Sequence, residues 1–234
     1  MSTNLPSSST EEAVPWTPGD IAKGVVAAVI VVVVAVVITG LFVFGFRPGP
    51  GGRDLGGFIL GIVTELALVG AAWRFSLRKY RRPWGALGFR SFGLGALWLV
   101  GLVLFLGLTV NIVYVALVSW VGLTNLLPPA LPLEEEGLAR VGTTLLAVVV
   151  SPVSEETFFR GFVFAGLKRR FGQGWGIGGS GLLFALAHFQ ASYIVPVSIL
   201  GAMLAALYQS TGSIWPGILV HGLYNGLAVQ TYFS

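Results

Sequence analysis

Three short patterns set ionisable and amide side chains inside stretches of chain apolar enough to cross a bilayer. They are Glu155-Glu156 with Arg160, Phe184 with His188, and His221 with Asn225. Charge is expensive at membrane depth, so such groups mark a site. His188 and His221 are the chain's 2 histidines, and no Lys, Arg, Asp or Glu follows Arg170. Glu156 and Arg160 lie one helical turn apart on one face, where the guanidinium can offset the buried carboxylate; Glu155 is turned about 100° away. His221 and Asn225 share a second face by the same spacing. A carboxylate and an imidazole acting on one water form a general-base pair, worth about 10²–10⁴-fold in rate. An imidazole beside an amide can donate hydrogen bonds to a developing oxyanion. Peptide hydrolysis needs these two functions, an activated water and a stabilised tetrahedral oxyanion.

The elements that must carry these residues are membrane helices. Of 234 residues, 55% are hydrophobic and only 10% charged; the mean hydropathy is +0.84. Soluble domains carry about 25% charged residues. A spanning helix needs about 20 apolar residues. That length predicts an all-α polytopic bundle of about seven spans, near 21–46, 55–73, 93–121, 139–170, 175–190, 194–210 and 213–232. Residues 1–18 read as a disordered tail, 19–138 as three spans with a basic loop, and 139–234 as the core that carries the chemistry. The first apolar run is too long for a signal peptide and reads as a retained anchor. Thr17-Pro18-Gly19-Asp20 supplies a helix start.

The net charge of +4 comes from basic residues beside the spans. No groove-reading or base-stacking element accompanies them, so nucleic acid is not an expected partner. Arg74 to Arg90 follow the second span and Lys168 to Arg170 the fourth, which places both clusters in the cytoplasm by the positive-inside rule. Glu134 to Glu136 then lie outside, the N-terminus inside and, with seven spans, the C-terminus outside. At 1.5 Å per residue, Glu155 sits about 22 Å from Arg170 and His188 about 21 Å from Gly174. His221 and Asn225 sit about 12 and 18 Å beyond Ser213. Three helices thus bring polar groups to mid-membrane. There is no cysteine, which excludes disulfides, thiolate nucleophiles and Cys-ligated zinc.

The three patterns, in this order, resemble the motifs of the CPBP family of intramembrane proteases (CAAX-protease and bacteriocin-processing, or Abi), which includes type II CAAX prenyl endopeptidases. The resemblance covers about residues 139–234. It implies an integral membrane endopeptidase, in the plasma membrane of a prokaryote, acting on a membrane-associated peptide or protein. It further implies that Glu155 is the general base working with His188, that His221 and Asn225 bind the oxyanion, and that Glu156 and Arg160 orient the site. A prenylated substrate is not implied by this chain. Zn²⁺ on Glu155, His188 and His221 is one option. A metal-free glutamate mechanism is the preferred one.

Other readings stand beside these. A lone polar residue in a membrane helix often bridges helices, worth about 1 kcal/mol. A non-catalytic scaffold or chaperone of the same fold, and a proton-coupled transporter, also fit buried Glu and His groups. Glu65, at the centre of the second span, reads by default as an interhelical hydrogen-bonder and stays outside the site; pairing with Arg160 or touching substrate are its alternatives. Asn111 reads as a helix–helix hydrogen bond. Phe158, Phe159 and Phe184 read as packing or lipid-facing groups, and Tyr224 as a pocket wall. Ser151-Pro152 should kink or restart its helix. Gly174 to Gly181 reads as close helix packing. Residues 74–92 read either as a segment along the cytoplasmic headgroups or as an ordinary basic loop.

Overall fold

The computed structural model describes residues 14–46, 50–127 and 137–233; most of the expected tail, and the acidic loop at Glu134 to Glu136, lie outside them. Seven helical rods make up the described chain. They are α1 (Pro18–Phe46), α2 (Pro50–Ala72, prolonged by a wider turn over Trp73–Arg78), α3 (Leu97–Val121), α4 (137–171), α5 (Gln173–Leu186), α6 (Ile194–Thr211) and α7 (Trp215–Phe233). No strand occurs among the described residues.

By length and composition, 4 helical stretches among the described residues can cross a membrane: Pro18–Val43, Leu55–Arg78, Leu94–Val121 and Ile194–Thr211. The other rods have physical reasons to fall short of that measure. Helix α4 carries Glu155, Glu156 and Arg160, α5 has 14 residues, and α7 carries His221 and Asn225. Polar groups of this kind are tolerated where they face the inside of a bundle.

The start of α1 shows how local chemistry places an element. Thr17 N–H donates to Asp20 Oδ2 at 3.0 Å and Asp20 N–H returns to Thr17 Oγ1 at 3.4 Å, a reciprocal cap. Lys79 and the Tyr80 hydroxyl also donate to Asp20. That bond to Asp20 holds the Lys79 ammonium above its ordinary pKa. The tail ends earlier than its composition predicts. Trp16 is wholly buried and its indole N–H donates to Phe162 O at 2.8 Å. A large amphipathic ring with one satisfied donor gains more inside than in water.

The core is an aromatic column in which Phe158, Phe159, Phe162 and Phe184 are all buried. Helices α5 and α6 touch almost backbone to backbone. A Cβ on Gly181 would lie 2.6 Å from Ser198 O, and one on Gly201 would lie 2.9 Å from Gly181 Cα. The glycine run is thus a packing device, as expected. Within residues 74–92, Ala86, Leu87 and Gly88 are buried while Arg81, Trp84 and Arg90 are exposed. Leu87 is wholly buried against Gly161, where a Cβ would meet Leu87 O at 2.6 Å. Gly88 takes φ +90, a left-handed conformation that suits glycine, and its carbonyl accepts from Ile214 N–H at 3.0 Å. The basic loop therefore wedges into the base of the bundle.

Candidate active site

Helix α4 is not regular through its polar motif. Its hydrogen bonding widens over Leu146–Val150 and again over Thr157–Phe164, leaving Ser151–Glu156 as a six-residue α-helical island. Such i→i+5 turns gather at functional sites. Pro152 does not restart the helix, because Val150 (φ −70, ψ −50) and Ser151 (φ −60, ψ −48) stay helical. The wide turn absorbs the proline. Ser151 N–H bonds Leu146 O, five residues back. The same spacing would pair residue 152 with Ala147 O, but Pro152 has no N–H to give. Asn225 of α7 supplies the missing donor, its Nδ2 lying 2.9 Å from Ala147 O.

Glu156 is the hub. It is wholly buried, and its Oε1 accepts from Arg160 Nη1 at 2.8 Å and faces His221 Nδ1 at 3.2 Å. The guanidinium also donates to Gly201 O at 3.1 Å and lies 4.4 Å from the Phe184 ring centre. The guanidinium pairs and hydrogen-bonds this buried carboxylate, which offsets the cost of taking it out of water. Facing a carboxylate makes Nδ1 of His221 the donor, so neutral His221 keeps its lone pair on Nε2. That nitrogen stands 3.8 Å from Glu155 Oε2, beyond direct hydrogen-bond length.

Glu155 turns the other way, as the helical rotation predicts. Its side chain is 17% exposed and forms part of the wall of a cavity of about 370 Å³, which His188 also lines. Apart from Thr64, the remaining lining is apolar and comes from α1, α2, α4, α5 and the turn after α5, with Val29, Leu68, Phe159 and Leu183 among it. His188 is not inside its helix as expected. Helix α5 ends at Leu186, and Phe189 takes φ +52. The His188 Nδ1 sits 2.8 Å from Phe184 O and so caps the last turn, leaving Nε2 as the acceptor.

The structure thus brings together Glu155 and His188 on one cavity, and Glu155, Glu156, Arg160 and His221 in one charged cluster. Neither His221 nor Asn225 is among the residues that line the cavity. His221 is 3% exposed and stands behind Glu155. The Phe184 ring meets the His188 ring edge-on at 5.0 Å and the His221 ring at 5.5 Å. Among the described residues no group of three His, Cys, Asp or Glu side chains could hold a metal ion.

One site neighbour was set aside on sequence. Glu65 of α2 is 7% exposed and accepts from Ser151 Oγ at 2.6 Å. The signal was a lone acid at the centre of a span, but nothing in the chain's order ties residue 65 to residue 151.

Residues 137–227 match the model of the family described as type II CAAX prenyl endopeptidase Rce1-like. This segment is similar to an Rce1-like domain. The matched segment holds all three motifs, and the Rce1-like family is one of proteases. The match takes in less than half of the chain and leaves α1, α2 and α3 outside it. With four apolar helices and an Rce1-like segment, the chain is an integral membrane protein. No curated protein and no solved structure matches the chain.

Proposed function

We propose that this protein is an intramembrane endopeptidase that hydrolyses a peptide bond of a membrane-associated substrate without a covalent enzyme intermediate. One observation carries the reading: Glu155 and the cap of α5, His188, line the same apolar cavity within the membrane bundle. Glu155 takes a proton from a water placed between it and His188 Nε2. The water oxygen attacks the scissile carbonyl carbon, and the proton passes to the leaving amine. His221, fixed by Glu156, supports Glu155 from behind. Asn225 has two amide protons, of which Ala147 O takes one. The other is the donor proposed for the oxyanion, and it needs the substrate to reach past the cavity wall.

The full chain, reconstituted in lipid vesicles, is expected to cleave a mixture of internally quenched apolar peptides. Glu155→Ala and His188→Ala should each abolish cleavage with an unchanged helical circular-dichroism spectrum. Retained turnover in either variant overturns the assignment. The lack, among the described residues, of three acidic or imidazole groups close enough to share a metal ion supports a metal-free mechanism. Chelator treatment should therefore leave turnover unchanged, and a loss that Zn²⁺ restores would overturn that point.

A further inference from the structure

The charged cluster explains how His221 is held, but not what fixes the rotation of Glu155. Glu155 sits on a six-residue α-helical island with wide turns on both sides. An irregular helix does not define the azimuth of such a turn from its own ladder alone, so neighbouring elements must do it. On the α7 side the pin is Asn225 on Ala147 O. On the α2 side it is Glu65 on the Ser151 hydroxyl at 2.6 Å.

The geometry of that second pin is specific. Ser151 and Glu155 are four residues apart and share a helical face. A bond to Ser151 therefore acts one turn below the reacting carboxylate on its own side. Gly61, one turn before Glu65, lets α2 come close, since a Cβ there would lie 2.6 Å from Leu146 Cδ2. Leu146 opens the wide turn that leads to Ser151. The second oxygen of Glu65 is buried with no close hydrogen bond, and Ser154, whose hydroxyl donates to Val150 O at 3.0 Å, is the other hydroxyl that interacts with this carboxylate. An acid so placed in an apolar helix is costly and calls for a compensating role.

We propose that Glu65 is a positioning residue for Glu155, acting through the Ser151 hydroxyl across the α2–α4 contact. It rests on the hydrolytic reading above. It also makes α2, which lies outside the Rce1-like segment, part of the site. What the reaction needs from Glu65 is an acceptor oxygen for Ser151, so glutamine can serve in its place.

The test uses the full chain in lipid vesicles, with the same quenched peptides, together with hydrogen exchange over residues 151–157. Loss of one hydrogen bond of ordinary net strength corresponds to about tenfold. Glu65→Ala and Ser151→Ala are each expected to lower kcat about tenfold with KM within about twofold, and the double variant to be no worse than either single one. Glu65→Gln should recover most of what Glu65→Ala loses. Exchange at 151–157 should quicken in the two Ala variants and stay slow in Glu65→Gln, with α6 unchanged in all. Full turnover in Glu65→Ala, a KM effect alone, additive losses, unchanged exchange, or a Gln variant as impaired as the Ala variant would each overturn the proposal. Wild-type cleavage that disappears in Glu155→Ala shows that the hydrolytic reading survives such a failure. No cleavage by the wild type overturns that reading and the role of Glu65 with it.

Discussion

At the scale of single residues, Glu155 and Glu156 differ because a helix separates neighbours by about 100°. One carboxylate reaches a cavity and the other is sealed between Arg160 and His221. The sealed one has almost no freedom. A Cβ added to Gly217 would stand 2.8 Å from Glu156 Oε2, while Arg160 and His221 hold the carboxylate by its other oxygen, Oε1. Gly217→Ala should therefore displace Glu156 and release His221. Misplacement by about 1 Å can cost about 10²-fold in rate, so kcat/KM is expected to fall by about that factor while the protein still inserts and folds. Unchanged turnover would remove Glu156 from its orienting role. His188 teaches a related lesson. Its spacing from Phe184 is that of a helix face, yet it serves as a terminal cap, and a cap is free to present its second nitrogen outward.

At the scale of elements, α4 does the most, and it does so by departing from ideal geometry. Its wide turns accommodate Pro152 and turn a missing donor into an anchor for α7. The close approach of α5 to α6 keeps Gly201 O within reach of Arg160. Gly181→Ala would press a methyl group to 2.6 Å from Ser198 O and 2.7 Å from Ala202 N, both of them backbone. Overpacking of this kind costs about 1–3 kcal/mol, and the thermal unfolding midpoint of the detergent-solubilised protein should fall accordingly. A midpoint equal to wild type would show that the α5–α6 contact can relax. The motif order was readable from sequence because each pair sits at helical spacing. The boundaries were less so: α5 stops before His188 because Phe189 adopts a left-handed φ, which hydropathy does not register.

At the scale of the molecule, the basic groups share one end with the N-terminal strap. Arg169 Nη1 donates to Val14 O at 2.6 Å, and Lys79 pairs with Asp20. Two basic segments far apart in sequence thus meet the start of the chain's first helix. By the positive-inside rule we propose that this end is cytoplasmic. The chain has no cysteine, so single substitutions report cleanly. Arg81→Cys and Arg170→Cys should react with a membrane-impermeant maleimide in inside-out vesicles but not in intact cells, and Gln230→Cys should do the reverse. The opposite pattern would invert the topology.

The amino-acid order alone determined the class of the molecule and the identity of its chemical groups. Hydropathy is a local sum, and helical spacing puts i and i+4 on one face whatever the surroundings. Tertiary structure decided which groups meet. Glu65 with Ser151, Asn225 with Ala147 O, and Leu87 with Gly161 each join positions more than seventy residues apart, and no periodicity within one helix encodes the rotation of its neighbour. It also decided that Phe184 touches both histidine rings edge-on, since packing, not spacing, fixes where an aromatic edge comes to rest.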